Sequence, residues 1–147
     1  MLKGFVHNPR IDPSVRPVQQ KFWHPAISLR DEISAELRRM EGEGIIERVE
    51  SSTWTSNIVV ARKKDGGVRL CVNLKDVNKA LIPERYPLPT MEELAMEVAG
   101  AMVFSKLDLK WGYLQHGLSK EARQLTAFVT HEGVFQRSTS LSVCLLD

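Results

Sequence analysis

Cysteine is scarce in this sequence of 147 residues, which contains only Cys71 and Cys144. Two cysteines so far apart provide neither the close spacing of a zinc site nor the framework of a disulfide-rich domain. Cys71 lies in a segment that we expect to be a strand, where a small buried thiol is the simplest interpretation. We therefore expect an intracellular protein, in the cytoplasm or the nucleus and not secreted.

Long apolar runs are absent as well. No segment approaches the roughly twenty apolar residues that a membrane-spanning helix needs. The sequence starts with Met1–Gly4 and continues into a polar stretch with several prolines, which lacks the apolar centre of a signal peptide. We expect no membrane partner.

The net charge is small, +2, but it is unevenly distributed. The segment Arg62–Arg85 contains seven Lys or Arg and three Asp or Glu, a local charge of +4, so the rest of the chain carries −2. A basic patch on a nearly neutral chain is suited to the phosphate groups of a nucleotide or a nucleic acid. A solvated hairpin face is the alternative, and charge alone leaves it open.

The first part of the chain predicts an arm followed by a helix. Residues 1–27 contain four prolines and little periodicity, which predicts an extended arm or linker. Ser28 is expected to begin the helix, with Asp31 placed three residues on as in a capping box. The apolar residues on one face of this helix are Leu29, Ile33, Leu37 and Met40.

Two runs rich in β-branched residues predict a β-hairpin. They are Asn57–Lys63 and Val68–Leu74, and Asp65, Gly66 and Gly67 lie between them. Folding the hairpin is expected to bring Lys63 and Lys64 close to Arg69. An ammonium and a guanidinium can together bind a triphosphate, although cations also decorate exposed hairpins that bind nothing.

The segment Met102–Leu109 is expected to be a strand that leads into a turn at Gly112. Asp108 lies near the end of this strand as a carboxylate on a rigid element, and Tyr113 follows with a flat ring. This arrangement is suited to a metal-dependent site. On spacing alone, an aspartate that is solvated or caps a turn is the commoner case.

A second helix and a second hairpin are predicted around this strand. Thr90 and Glu93 form a capping box, and the helix is expected to pack beneath the sheet through Met91, Leu94, Ala95 and Val98. After a short polar connection, Gln124–Thr130 is a predicted strand, and it turns at His131 into a return strand. His131 is expected to be exposed to solvent.

These segments, in this order and spacing, resemble the fingers and first palm segment of a reverse transcriptase, most closely that of gypsy-type long-terminal-repeat retrotransposons. The resemblance extends from about Gly4 to Phe135. It implies an α+β fold in which a fingers hairpin and packed helices join an incomplete palm sheet. The implied division of the chain is an extended arm (1–27), fingers and partial palm (28–136) and a divergent tail (137–147). The segments that carry the resemblance are Val59–Leu74, Asn78–Lys79, Arg85–Pro89, Phe104–Tyr113 and Leu125–Phe128.

The resemblance also implies roles for individual residues. Asp108 would be the catalytic carboxylate, and it would bind Mg²⁺ or Mn²⁺ together with the backbone carbonyl of Leu109. Lys63 would contact the γ-phosphate of the incoming deoxynucleotide, and Arg69 its base and α-phosphate. The other residues implied at the nucleotide are Leu109, Trp111, Gly112 and Tyr113, where Tyr113 excludes a 2′-hydroxyl. The residues implied at the template of an RNA or DNA template–primer are Val72, Asn73, Lys75 and Asn78.

Four positions depart from the family pattern. Asn57 stands where proline is common, Asn73 where aspartate is usual, Lys75 where arginine is usual, and Trp111 where a small residue is frequent. Lysine lacks the planar guanidinium group of arginine. These changes are therefore expected to affect mainly the geometry of the contacts with the template strand.

The family pattern stops after Gln136, and no Tyr-x-Asp-Asp motif follows. Two of the three catalytic carboxylates are therefore missing, and we expect a polymerase fragment that is inactive alone. A frameshift, an exon boundary and a decayed copy would each explain the break. The alternatives in function are a non-catalytic nucleic-acid-binding remnant or domesticated module, and an unstable remnant.

Overall fold

A computed structural model of the chain describes residues 6–64, 66–83, 87–106 and 116–139. No helix in these residues has the length and apolar character that crossing a membrane requires. The helices are α1 (Arg30–Gly42), α2 (Lys75–Ala80), α3 (Met91–Glu97) and α4 (Lys120–Leu125), and a 3₁₀ turn covers Ile27–Leu29. The strands are β1 (Val6–His7), β2 (Ile46–Val49), β3 (Ser56–Arg62), β4 (Val68–Val72), β5 (Gly117–Leu118), β6 (Phe128–Thr130) and β7 (Gly133–Arg137).

One mixed sheet contains five of these strands in the order β2–β7–β6–β3–β4. Only β3 and β6 run parallel, with Ser56 opposite Phe128, whereas the other neighbours are antiparallel. The hairpin β3–β4 pairs Val60 with Leu70, as the two β-branched runs predicted. Strands β1 and β5 form a separate parallel pair. The described residues thus combine helices with a mixed sheet, as expected for an α+β chain.

The core lies where α1 packs on the sheet. Ile33 and Leu37 are 0 % and 1 % exposed, so the predicted apolar face of the first helix is confirmed. From the sheet, Phe128 and Phe135 stack with ring centroids 5.9 Å apart. Cys71 is buried in β4, also as predicted.

The start of α1 differs from the prediction. Ser28 lies inside the 3₁₀ turn, which the backbone bond from Leu29 N to the carbonyl of Ala26 closes at 2.9 Å. The helix begins at Arg30, and no side chain caps it, so the predicted capping box of Ser28 and Asp31 is wrong. The tighter turn satisfies the first donors through the backbone instead.

The second predicted helix is present, but it does not pack as expected. Thr90 and Glu93 form the predicted capping box: Thr90 Oγ1 accepts from Glu93 N at 3.2 Å, and Thr90 N donates to Glu93 Oε2 at 2.6 Å. Its apolar side chains are exposed, with Met91 at 80 % and Leu94 at 40 %. The predicted burial of this face under the sheet is therefore wrong. The described part of the predicted strand that follows, residues 102–106, is exposed and contains no strand.

The last hairpin forms later in the sequence than predicted. Ser119 caps α4 by accepting a hydrogen bond from Ala122 N at 3.1 Å, and the helix then includes Leu125, which was predicted to lie in a strand. Strand β6 begins at Phe128. His131, in the predicted turn, is half-buried with Nε2 3.1 Å from the Ser34 hydroxyl, so the prediction of a solvent-exposed histidine is wrong.

Candidate nucleic-acid interface

Two ion pairs fix the basic end of the β3–β4 hairpin to α1. Arg62 makes a bidentate contact with Glu32, with nitrogen–oxygen distances of 2.9 and 3.2 Å. Lys63 Nζ lies 3.7 Å from Glu36 Oε1. Both acids are on α1, one turn apart, so the helix that supplies the core also positions the cations of the hairpin.

Glu36 binds Arg39 more tightly than it binds Lys63. Its two carboxylate oxygens accept from the guanidinium of Arg39 at 2.9 Å each. These hydrogen bonds hold the pKa of Glu36 below its ordinary value, and the charges of Arg39 and Lys63 add to the effect. Because Glu36 has a second cation and its contact to Lys63 is long, Lys63 can exchange this partner for a phosphate at small cost.

Arg69 lies on the other face of the hairpin. Its cross-strand partner is Ala61, whereas Arg62 is opposite the buried Val68. Since side chains alternate along a strand, Arg69 points away from the α1 side, where it is exposed. The expected convergence of Lys63 and Arg69 on one face is thus not seen: the two cations border the same hairpin from opposite sides.

The predicted template residues follow one another from the end of β4 into α2. Val72 is buried in the core, so its side chain positions the strand. Asn73 Oδ1 accepts the backbone N–H of Lys75 at 3.2 Å and thereby helps α2 to begin. Lys75 and Asn78 are exposed on α2. We call residues 73–75 the β4–α2 turn.

The arm docks beside this turn, on Asn57 of β3 and Asp76 of α2, through contacts that the sequence did not indicate. Gln20 Oε1 accepts the backbone N–H of Asn57, and Gln20 Nε2 donates to Asp76 Oδ2, both at 2.9 Å. Asn57 binds the arm in return: its Oδ1 accepts from Trp23 N, and its Nδ2 donates to the carbonyl of Lys21, again at 2.9 Å. The only sequence signal was asparagine at position 57 in place of the family's proline.

Backbone hydrogen bonds extend this docking along the arm. Thr55 N donates to the carbonyl of Val18 at 3.1 Å, and Gln20 N donates to that of Thr55 at 2.8 Å. Farther back, Asp12 N donates to the carbonyl of Ala80 at 2.8 Å. The described part of the arm is therefore held against the domain along most of its length. The predicted boundaries at residues 27 and 136 stay predictions.

The predicted catalytic and metal-binding residues, and four of the residues predicted at the nucleotide, lie outside the described residues. These are Asp108, Leu109, Trp111, Gly112 and Tyr113. In the part of the chain that the structure describes, no group of three or more His, Cys, Asp and Glu side chains could hold a metal ion. The role of Asp108 and Leu109 toward Mg²⁺ stays a prediction.

Known proteins with similar sequences include transposon and viral polyproteins. The uncharacterized protein K02A2.6 of Caenorhabditis elegans is 38 % identical over 107 residues, which are 71 % of this chain and 8 % of that protein. The transposon Tf2-3 polyprotein of Schizosaccharomyces pombe is 34 % identical over 109 residues, 74 % of this chain and 8 % of the polyprotein. The enzymatic polyprotein of cauliflower mosaic virus (strain CM-1841) is 41 % identical over 76 residues, 52 % of this chain and 11 % of its own length. No family model matches the chain.

Solved structures with a similar fold include complexes of a viral enzyme. The foamy viral protease–reverse transcriptase in complex with double-stranded DNA has a TM-score of 0.68 and 19 % identity, over 93 % of this chain and 23 % of that one. The same enzyme in complex with an RNA/DNA hybrid has a TM-score of 0.68 and 18 % identity, over 94 % and 19 %. Our chain spans at most about a quarter of each of these proteins. The chain is therefore homologous to a segment of transposon and viral polyproteins and shares the fold of part of the foamy viral enzyme.

Proposed function

We propose that this chain is the fingers and part of the palm of an RNA-directed DNA polymerase from a gypsy-type retrotransposon. The observation that carries the proposal is the continuity of the basic hairpin with the β4–α2 turn: β4 leads directly from the exposed Arg69 to Asn73 and Lys75. The complexes of the viral enzyme with double-stranded DNA and with an RNA/DNA hybrid support a nucleic-acid partner for this chain.

The proposed partner is an RNA or DNA template–primer duplex. Lys75 and Asn78 can bind its phosphate and sugar groups because they are exposed, whereas Asn73 holds the turn in place. At the nucleotide, Lys63, which lies beyond the end of β3, would leave Glu36 and turn toward the side of Arg69 to reach the γ-phosphate of a deoxynucleotide, and Arg69 would lie over the base. Contacts of this kind neutralise phosphates and do not read sequence, so binding is expected to be weak and non-specific.

We propose binding rather than catalysis as the activity of this chain by itself. When bound in such a polymerase, Mg²⁺ would supply the charge that favours ionisation of the primer hydroxyl and that neutralises the leaving pyrophosphate. Asp108 and the carbonyl of Leu109 are the proposed ligands in this chain. The sequence contains no Asp-Asp pair to complete the ligand set of two ions.

The proposal is tested by the affinity of the chain for an RNA–DNA duplex across a series of salt concentrations. We expect affinity to fall with salt. While no nucleotide is bound, Lys63 and Arg69 are expected to contact phosphates of the duplex, so the double variant Lys63→Ala, Arg69→Ala should bind more weakly with a salt slope smaller by about 2. A matched control, Arg10→Ala with Lys120→Ala, removes the same charge from exposed positions outside the hairpin. A flat salt response, or equal loss in both double variants, contradicts the proposal.

A second candidate is a nucleic-acid-binding module that no longer uses nucleotides. The break in the family pattern after Gln136 favours it. Duplex binding is expected in both cases, so the two are separated by the effect of a deoxynucleotide. A nucleotide complementary to the template should tighten the duplex complex of a polymerase domain through Lys63 and Arg69, whereas a binding module should not respond.

A further inference from the structure

Helix α1 presents two carboxylates to the basic end of the hairpin. The guanidinium of Arg62 donates to both oxygens of Glu32, at 2.9 and 3.2 Å. Glu36 Oε1 lies 3.7 Å from the ammonium nitrogen of Lys63. We call these two ion pairs the hairpin latch. It neutralises two adjacent cations on the α1 side of the surface for which we propose phosphate binding, whereas Arg69 on the other side is exposed.

Other residues of α1 hold Glu36 in place for its contact with Lys63. Nε and Nη2 of Arg39 donate to the two oxygens of Glu36 at 2.9 Å each, and Nη1 of Arg39 donates to Glu43 Oε2 at 2.6 Å. The side chain of Glu36 is only 14 % exposed. Because Glu36 is already fixed, little conformational entropy is lost when Lys63 approaches it. Its carboxylate therefore occupies a position that a phosphate oxygen would need in order to bind the same ammonium.

Apolar packing holds the hairpin on α1 without the latch. Ile33 and Leu37 of α1 belong to the same buried cluster as Leu70 of β4. The latch involves more exposed cations, and ion pairs at such positions add little to the stability of a fold. Breaking the latch is therefore expected to leave the fold intact and to change mainly what the two cations can bind.

We propose that the hairpin latch is autoinhibitory: its two carboxylates compete with phosphate groups for Arg62 and Lys63. This inference rests on the proposed function and concerns the regulation of the same site. A phosphate that binds these cations has to displace a carboxylate first, so the affinity of the hairpin for phosphates is lower than its cations alone would give. Exposed ion pairs are weak, and the latch therefore reduces the affinity by about twofold to fivefold without abolishing binding.

The inference is tested by the binding of inorganic tripolyphosphate, which carries phosphate groups but no base, in isothermal titration calorimetry. Glu36→Gln keeps an oxygen toward Arg39 but removes the charge that competes for Lys63. This variant should bind tripolyphosphate about twofold to fivefold more tightly than the wild type. In a Lys63→Ala background the same substitution should have a much smaller effect, because the contested cation is absent. Glu41→Gln, which removes an equal charge from an exposed position on α1, is the matched control.

A second measurement detects the latch without any ligand. The acylation of individual lysines by an amine-reactive reagent is followed by mass spectrometry. Lys63 should react faster in Glu36→Gln than in the wild type, because the carboxylate no longer covers its amine. Lys64, the next residue, is exposed and serves as the internal reference, whose rate should change little.

The outcomes separate this inference from the proposed function. An equal gain in affinity in Glu41→Gln, a full gain in the Lys63→Ala background, or unchanged acylation of Lys63 overturns the latch. Glu32→Gln releases Arg62 and should also tighten binding, so the inference does not depend on a single variant. The circular dichroism of each variant is the folding control. A chain whose tripolyphosphate affinity responds as expected but which shows no salt-dependent duplex binding would contradict the proposed function and leave the latch standing.

Discussion

Gln20 and Asn57 are joined by two hydrogen bonds to a single oxygen. Oε1 of Gln20 accepts the backbone N–H of Asn57 at 2.9 Å and its side-chain amide at 3.3 Å. The backbone N–H of Asn57, in β3, therefore donates to the arm and not to a neighbouring strand. Proline, which the resembling polymerases commonly have here, has no N–H to donate. Asparagine at this position thus adds a clamp without removing a bond of the sheet.

Replacing Asn57 by alanine should loosen the arm and leave the sheet intact. Alanine retains the N–H that Gln20 accepts but loses the two side-chain bonds of 2.9 Å to Trp23 and Lys21 and the longer one to Gln20. At about 0.5–1.5 kcal/mol for each of the two shorter bonds, the docked arm should be less stable by roughly 1–3 kcal/mol. Cleavage by trypsin after Lys21, followed by mass spectrometry, should be faster. Asn78→Ala changes another asparagine, on α2, and an equal rate in the two variants would argue against the clamp.

Acid should destabilise the fold through Glu36 and Glu47. Hydrogen bonds from Arg39 lower the pKa of Glu36, and the bond from Gln136, with a smaller contribution from Arg123, lowers that of Glu47. A carboxyl group whose pKa is lower in the folded than in the unfolded state stabilises the fold at pH values above its unfolded-state pKa. This stabilisation is lost as the pH falls through the folded-state pKa. The free energy of unfolding should therefore be level above about pH 5 and decrease below it.

Urea unfolding at several pH values measures this dependence. Glu47→Gln removes one of the two carboxyls and keeps a polar group toward Gln136 and Arg123. The variant should lose less stability than the wild type between about pH 5 and pH 3. A free energy of unfolding that increases on acidification would contradict the stabilising role of the two ionised carboxyl groups.

Local signals in the sequence predicted local structure. The capping box of Thr90 and Glu93 needs only residues three apart, and the β3–β4 hairpin needs only a turn between two strands. Whether the face of α3 is covered depends on packing against distant segments, and that prediction was wrong. The contact of His131 with Ser34, which are 97 residues apart, was hidden from the sequence for the same reason.

The candidate site was predictable in composition but not in geometry. The sequence indicated the basic residues of the hairpin, yet it did not indicate that Glu36, on α1, would hold Lys63 on one side. The alternation of side chains along the strands did not predict that Arg69 and Lys63 lie on opposite sides of the hairpin, because Lys63 is beyond the end of β3. The docking of the arm depends on side-chain amides of Gln20 and Asn57, which have no periodic pattern to reveal them.

The exposed apolar surface around α3 should make the isolated chain self-associate. Large exposed apolar patches are sites of association or aggregation. Light scattering should increase with concentration, and Met91→Lys with Met102→Lys should suppress the increase. Ala35→Lys with Gln124→Lys adds the same charge at exposed positions elsewhere and should suppress it less. A wild type that stays monomeric at all concentrations would contradict this. The exposed apolar side chains here are Leu88, Met91, Leu94, Met96, Val98, Met102, Val103 and Phe104.

The chain alone should not extend a primer with either Mg²⁺ or Mn²⁺. Phosphoryl transfer needs a hydroxyl and a triphosphate aligned between two divalent ions, and each ion needs several oxygen ligands. Asp108 and the carbonyl of Leu109 could supply two oxygens, and among the described residues no cluster of acidic, histidine or cysteine side chains supplies the others. Since positioning and charge neutralisation provide most of the rate in this chemistry, binding through Lys63 and Arg69 cannot replace those ligands.

A primer-extension assay on an RNA template tests this expectation, with Asp108→Ala as the control. Equal, background incorporation in both proteins is the expected result, even at protein concentrations where duplex binding is saturated. Saturated duplex binding without primer extension would indicate that the chain lacks metal ligands and not affinity for the duplex. Extension by the wild type but not by Asp108→Ala would mean that carboxylates other than the expected pair complete the site. Our assignment of this chain as a binding domain without catalysis of its own would then be wrong.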